Sequence, residues 1–152
     1  AARAALFSSS YGNASENRIK AAVMHHAYTR SSYPAPTVPF LAFTGTKDAT
    51  APPNMTSRFF DAAASEPGAA HRGLVNRRGA GHFEPLFWDN VRLPKFTAAW
   101  FKLYVQGVRA EAGFDYAGMI YGADSASLCG GGDGEMAACV LESPQAQRAT
   151  AA

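Results

Sequence analysis

Short apolar runs alternate along the chain with stretches in which apolar residues recur three and four apart. Ala21-Ala22-Val23-Met24 is the apolar centre of a strand predicted over Ile19 to Ala27. Val38 to Gly45 is a second, more strongly apolar strand, with Pro39 at its start, where a missing N–H does least harm. Gly73 to Arg77 is a third. Between the second and third, Pro52-Pro53 opens a helix from about Asn54 to Ala64, with Phe59, Phe60 and Ala63 on one side. Glu66-Pro67-Gly68 stops it. Phe96, Ala99, Trp100, Leu103 and Tyr104 give one apolar face to a long helix that starts near Asp89 or Pro94. It runs to Gln106, and Gly107 ends it.

The flanks are less regular. Residues 1 to about 9 are Ala-rich and read as a helix, and Tyr11 to Asn17 as a polar loop. Tyr28 to Thr37 holds Pro34 and Pro36 and reads as a second loop. The tail from Val108 to Glu142 is Gly-rich and aromatic, and is expected to pack irregularly as the end of a single domain spanning 1–142. Residues 143–152 read as a disordered tail. Strands alternating with helices predict an α/β fold, with a parallel sheet covered by helices on both faces and right-handed crossovers. Ligands of such sheets bind beyond the C-terminal ends of the strands. The turn Lys47 to Thr50 and the Gly-rich loop Gly79 to Phe83 each follow a strand, so Asp48 and His82 are expected at one rim.

Composition narrows the function. Hydrophobic residues make up 47% of 152, enough for one core. Charged residues are 17% and the net charge is +2, and the Arg77-Arg78 doublet reads as a solvated strand end. Neither points to a nucleic-acid partner. No apolar run approaches the ~18 residues of a membrane span. No signal peptide is visible. The opening Ala-Ala-Arg-Ala-Ala-Leu reads as the inside of a helix, so the chain is expected to begin mid-domain, with any targeting segment upstream. Cys129 and Cys139 flank a Gly-rich stretch and fit either a local disulfide or two free thiols. They are too few for a zinc site, with no His nearby. A disulfide, with sequons at Asn13 and Asn54, would suit a secreted or extracellular protein. The pattern specifies no oligomeric state.

Acyl transfer needs a nucleophile, a base to take its proton, and a carboxylate to fix the base. His82 suits the base, because imidazole shuttles protons near neutrality and Gly79 and Gly81 leave its loop free to bend. Asp48 suits the carboxylate, and equally suits a capping turn before Pro52-Pro53. Tyr28 and Phe83 are candidate substrate-binding residues at the rim, or mere covers of the sheet edge. His25-His26 invites a metal reading, but neighbouring strand residues point to opposite faces, so no metal site is assigned and both read as structural or rim histidines. His71 and Glu84 are expected in solvent, Glu84 otherwise as a carboxylate supporting the site from behind, and the Trp100 face in the core. Asp133 and Glu135 lack the spacing of a calcium loop.

The segment Val38-Pro-Phe-Leu-Ala-Phe-Thr-Gly-Thr-Lys-Asp48-Ala-Thr-Ala-Pro-Pro resembles the strand and acid turn of α/β-hydrolases. Gly79-Ala-Gly-His82-Phe resembles the loop that brings their histidine. The chain is similar over roughly residues 1 to 140 to the C-terminal half of dienelactone-hydrolase-like and cutinase-type polyester-hydrolase enzymes, with plant-type chlorophyllases as relatives. There a helix like Phe96-Thr-Ala-Ala-Trp100-Phe-Lys-Leu-Tyr-Val follows the histidine, and a disulfide such as Cys129–Cys139 closes the tail. The opening Ala-Ala-Arg-Ala-Ala-Leu looks like the helix after the family's Gly-x-Ser-x-Gly elbow. The resemblance implies a cofactor-free carboxylic ester hydrolase acting on a small-molecule or polymer ester, with Asp48 as catalytic acid partner and His82 as base. Gly-x-Ser-x-Gly itself does not occur, so these residues supply acid and base only. Losing a nucleophile costs about 10⁶ in turnover in a serine protease, so the chain alone is expected to be inactive. A cysteine nucleophile, as in dienelactone hydrolases, and a non-catalytic relative that keeps only the fold are the competing readings.

Overall fold

The computed structural model describes residues 19–29, 36–65, 69–86, 91–130 and 135–143. The elements run β1 (Ala22–His25), β2 (Phe40–Gly45), α1 (Pro53–Ala62), β3 (Arg72–Arg77), α2 (Arg92–Tyr104), β4 (Ala110–Glu111), β5 (Phe114–Asp115), α3 (Tyr116–Tyr121) and β6 (Met136–Glu142). The main sheet has the order β1-β2-β3-β6. Its first three strands are parallel, and β6 joins antiparallel, so the chain is α/β with a mixed, mostly parallel sheet. The predicted helix at 1–9, the loop at 11–17, Asn13, Asp133 and the tail from 144 lie outside the described residues.

Period-two geometry explains why β2 is apolar at every position. Phe40 and Ala42 face one side and join Met24, Leu74, Phe59 and Phe60 under α1. Leu41 and Phe43 face the other and join Val23, Val75, Phe96 and Trp100 under α2 and α3. A strand between two parallel neighbours with both faces covered reads as one continuous hydrophobic run. Trp100 is fully buried at the centre of the second layer, as its helical spacing predicted.

The tail departs from expectation. Met136–Glu142 is a regular strand in register with β3, pairing Cys139 with Val75 and Glu142 with Arg72, and bulged at Asn76/Arg77. It was not predicted because Met-Ala-Ala-Cys-Val-Leu-Glu carries no clean alternation, and only Met136 of the seven is buried. Its place comes from partners distant in sequence. The Cys129–Cys139 disulfide ties it to the segment after α3. The Arg72 guanidinium meets Glu142, donates to the Ala63 carbonyl at 2.9 Å and lies 5.0 Å from the Phe60 ring centroid. The small β4–β5 hairpin, which turns at Gly113 with φ 84°, and the capped helix α3 were also unforeseen. Among the described residues no helix is long and apolar enough to cross a membrane.

Two loops at the C-terminal rim are stitched together. Lys47 N–H donates to the Ala80 carbonyl at 2.9 Å, and Gly79 N–H to Thr46 Oγ1 at 2.8 Å. The contact is so close that a Cβ on Gly45 would overlap the Ala80 backbone carbonyl, so only glycine fits there. Gly45→Ala is therefore expected to lose about 1–3 kcal/mol by overpacking, read by urea unfolding. Stability equal to the parent chain would show that the loops can part freely.

Candidate active site

The rim gathers side chains from three strand ends. Asp48 follows β2 through a tight turn in which its N–H donates to the Gly45 carbonyl at 3.0 Å. One carboxylate oxygen, Oδ1, accepts from the N–H groups of Thr50 at 2.9 Å and Ala51 at 2.7 Å. The other, Oδ2, accepts from His82 Nδ1 at 3.0 Å. The capping reading and the histidine-partner reading of Asp48 thus describe two halves of one carboxylate. Burial alone would raise the Asp48 carboxyl. The Ala51 N–H and the hydrogen bonds from His82 and His26 outweigh that and hold it below the ordinary aspartate range.

His82 sits in the loop after β3, which the Ala80 and Gly79 contacts fix against the β2 turn. Its side chain is 28% exposed. With Nδ1 on Asp48, no partner for Nε2 is found among the described residues, so that nitrogen faces the open rim. Phe83 is exposed and sets its ring edge-on to His82, with centroids 5.4 Å apart. Tyr28 is also exposed, and among the described residues no hydrogen bond or ring contact joins it to Asp48 or His82. Its neighbour Thr29 is buried and anchored to the Met55 carbonyl at 2.9 Å, which fixes the root of that loop on α1.

Two further residues belong to the cluster. His26 is buried, and its Nδ1 also meets Asp48 Oδ2, at 3.0 Å. Its Nε2 meets Glu84 Oε2 at 3.1 Å. Glu84 was expected in solvent; it is buried, because His26 holds one of its oxygens and the Arg77 guanidinium the other. Arg77 is accordingly no plain solvated strand end. His71 is likewise corrected: it is partly buried, its ring lies 4.9 Å from Tyr104, and burial lowers its pKa.

His25 and His26 diverge as expected, but His26 lies past the end of β1, so its direction is set by its own backbone and not by strand alternation. His25 stacks on Phe43 and pairs through Nε2 with Thr97 Oγ1 at 3.1 Å on the α2 side. Burial and, after it, the charge of His26 lower its pKa. His26 departs from the strand into the left-handed region, with φ 48°, and this turn swings its ring toward Asp48 and Glu84. Local sequence carried little sign of it, since positive φ is uncommon for any residue other than glycine, although histidine is several-fold enriched there. Among the described residues no group of three His, Cys, Asp or Glu is arranged to hold a metal.

A cavity of about 850 Å³ lies elsewhere, lined by Arg109, Asp115, Tyr121 and Cys129. It touches none of the His–Asp residues, and the hydrogen-bond geometry locates the chemistry better than the cavity does.

No protein-family model matches the chain, and no curated protein matches it. The lowered Asp48 carboxyl has a consequence for stability. A carboxyl held down in the fold contributes stability above its unfolded value of 3.8, and that contribution drains away as pH falls through the lower folded value. The stability gap between the parent chain and Asp48→Asn is expected to narrow as pH drops below 3.8, followed by denaturant unfolding at stepped pH. A gap independent of pH would mean that Asp48 is not held as the ionised acceptor.

Proposed function

We propose that Asp48 and His82 are the acid partner and base of a carboxylic ester hydrolase built on an α/β-hydrolase fold. The observation that carries the reading is the His82 ring, held through Nδ1 on a buried carboxylate at 3.0 Å, with Nε2 turned to the rim. Asp48 fixes the tautomer: Nδ1 keeps its proton, so the lone pair stands on Nε2. His82 Nε2 then takes the proton of a nucleophile's Oγ as Oγ attacks the ester carbonyl. The imidazolium that forms is stabilised by the Asp48 charge. The tetrahedral intermediate collapses, and the alkoxide leaves as an alcohol with the proton from His82 Nε2. Water opens the acyl-enzyme by the same route, with His82 again as base.

The nucleophile belongs to a segment beyond these residues, which contain no Gly-x-Ser-x-Gly. Among the described residues β1 is the edge of the parallel sheet, although three of its four side chains are buried. A further parallel strand added beside β1 would end at the rim next to His26 and Asp48, where a nucleophile turn could meet His82 Nε2. A cysteine in that turn would use the same acid and base. Exposed Phe83 beside His82, and Tyr28 on the neighbouring loop, supply apolar surface for an ester. The disulfide suits an oxidising, extracellular compartment.

The test is p-nitrophenyl butyrate turnover by a polypeptide that joins these residues to the nucleophile-bearing segment. His82→Ala is expected to lower kcat by about 10⁶, and Asp48→Asn by about 10⁴, with both variants folded by circular dichroism. The 152-residue chain alone is expected to show no turnover. A His82→Ala enzyme within tenfold of the parent would sink the assignment.

A further inference from the structure

We infer that His26 is a positioning residue for His82, a second imidazole that acts on the base through the Asp48 oxygen the two rings share. The inference rests on the hydrolase reading for its meaning, and on the geometry of the cluster for its physics. Both Nδ1 atoms lie 3.0 Å from the same Oδ2. Oδ1 already holds two backbone N–H groups, so Asp48 has four donors on the roughly four lone-pair sites of a carboxylate. Every proton His26 places on Oδ2 takes charge from the oxygen that must stabilise the His82 imidazolium.

The far side of His26 is equally constrained. Its Nε2 faces Glu84 Oε2 at 3.1 Å, and Glu84 Oε1 is held by Arg77. Ionised carboxylates only accept hydrogen bonds, so a ring that serves both must carry an N–H at each nitrogen. A His26 with both protons is a cation whose ring centroid lies 6.3 Å from that of His82. The groups facing it are Asp48 from the β2 turn, Glu84 and His82 from the loop after β3, Arg77 from β3 through Glu84, and His25 on its own strand. Asp48 and Glu84 are offset by Arg77 and His26, so the cluster is neutral before His82 takes a proton. Without His26 it carries one negative charge, which favours protonated His82. Two unit charges at that separation move each other's titration by roughly half to two pH units at effective dielectrics between about 80 and 20. The left-handed backbone of His26 fits this role: a non-glycine residue held at positive φ persists only where its surroundings over-determine it, and such residues gather at functional sites.

A purely structural role for His26 predicts lost stability and nothing else. The shared-oxygen role predicts two further signals. In the 152-residue chain at neutral pH, ¹⁵N-edited NMR is expected to show two slowly exchanging ring N–H protons on His26. In His26→Asn, which tolerates the same backbone, the pH midpoint of the His82 ring signals is expected to rise by about one pH unit. The acid limb of the kcat/KM profile of the nucleophile-bearing enzyme should rise with it, at unchanged KM. One ring N–H on His26, or a His82 midpoint that stays put, overturns the inference. The two-proton measurement uses the parent chain, so the inference stays testable if His26→Asn does not fold. An enzyme without ester turnover whose His82 midpoint still moves sinks the hydrolase reading and supports the coupling. An active enzyme whose His82 midpoint does not move sinks the coupling alone.

Discussion

One carboxylate organises the rim. Asp48 is almost fully buried, and a bare buried charge would cost several kcal/mol, so its partners are a condition of its being ionised there at all. Two backbone N–H groups and two imidazoles meet that condition. The turn after β2, the kink after β1 and the loop after β3 are each held in place by what they give to this group. Asp48 is not their sole anchor, since the β2 turn and the β3 loop also bond each other through Lys47–Ala80 and Gly79–Thr46, and His26 also meets Glu84.

The sheet makes the convergence possible. Three parallel strands end at one rim, so residues 22 and 34 positions apart in sequence meet at a single oxygen. Parallel pairing needs long crossovers, and α1 supplies the one between β2 and β3 while covering one face of the core. The rest of the rim is set by contact. Gly45 lets the β3 loop lie directly on the end of β2, and the Lys47–Ala80 and Gly79–Thr46 hydrogen bonds lock the approach. The His82–Asp48 distance is therefore a property of two backbone segments, not of side-chain reach alone.

This division decides what was legible in the sequence. α1 and α2 were readable from apolar residues spaced three and four apart, and β2 and β3 from short apolar runs bounded by turn residues. Asp48 and His82 were placed at one rim because each follows a strand, an inference that needs only the rule for parallel sheets. β6 was hidden because its register is set by Arg72, Val75 and the disulfide, none of which alters its local pattern. The partners of His26 and the burial of Glu84 were hidden for a related reason. A histidine beside another histidine, and a glutamate two residues past His82, look like surface polarity until the fold brings them together with Arg77. The one local hint was a pair of imidazoles at a strand end, and period two does not apply to the second, which lies past the strand in the left-handed region.

A buried cluster of two carboxylates, a guanidinium and two imidazoles is a poor source of net stability, since apolar residues of the same volume often do as well. What it provides instead is an ordering of solvent access. The Asp48 and His26 side chains are 0% and 1% exposed and Glu84 is 9% exposed, while His82 is 28% exposed with a nitrogen at the surface. Arg77 reaches solvent too, at 20%, but guanidinium does not release its proton. His82 is the one imidazole of the cluster with substantial solvent access. The inner members surround the carboxylate, and the outer one faces solvent. That gradient follows from where the strands end and from which loop is pressed against which.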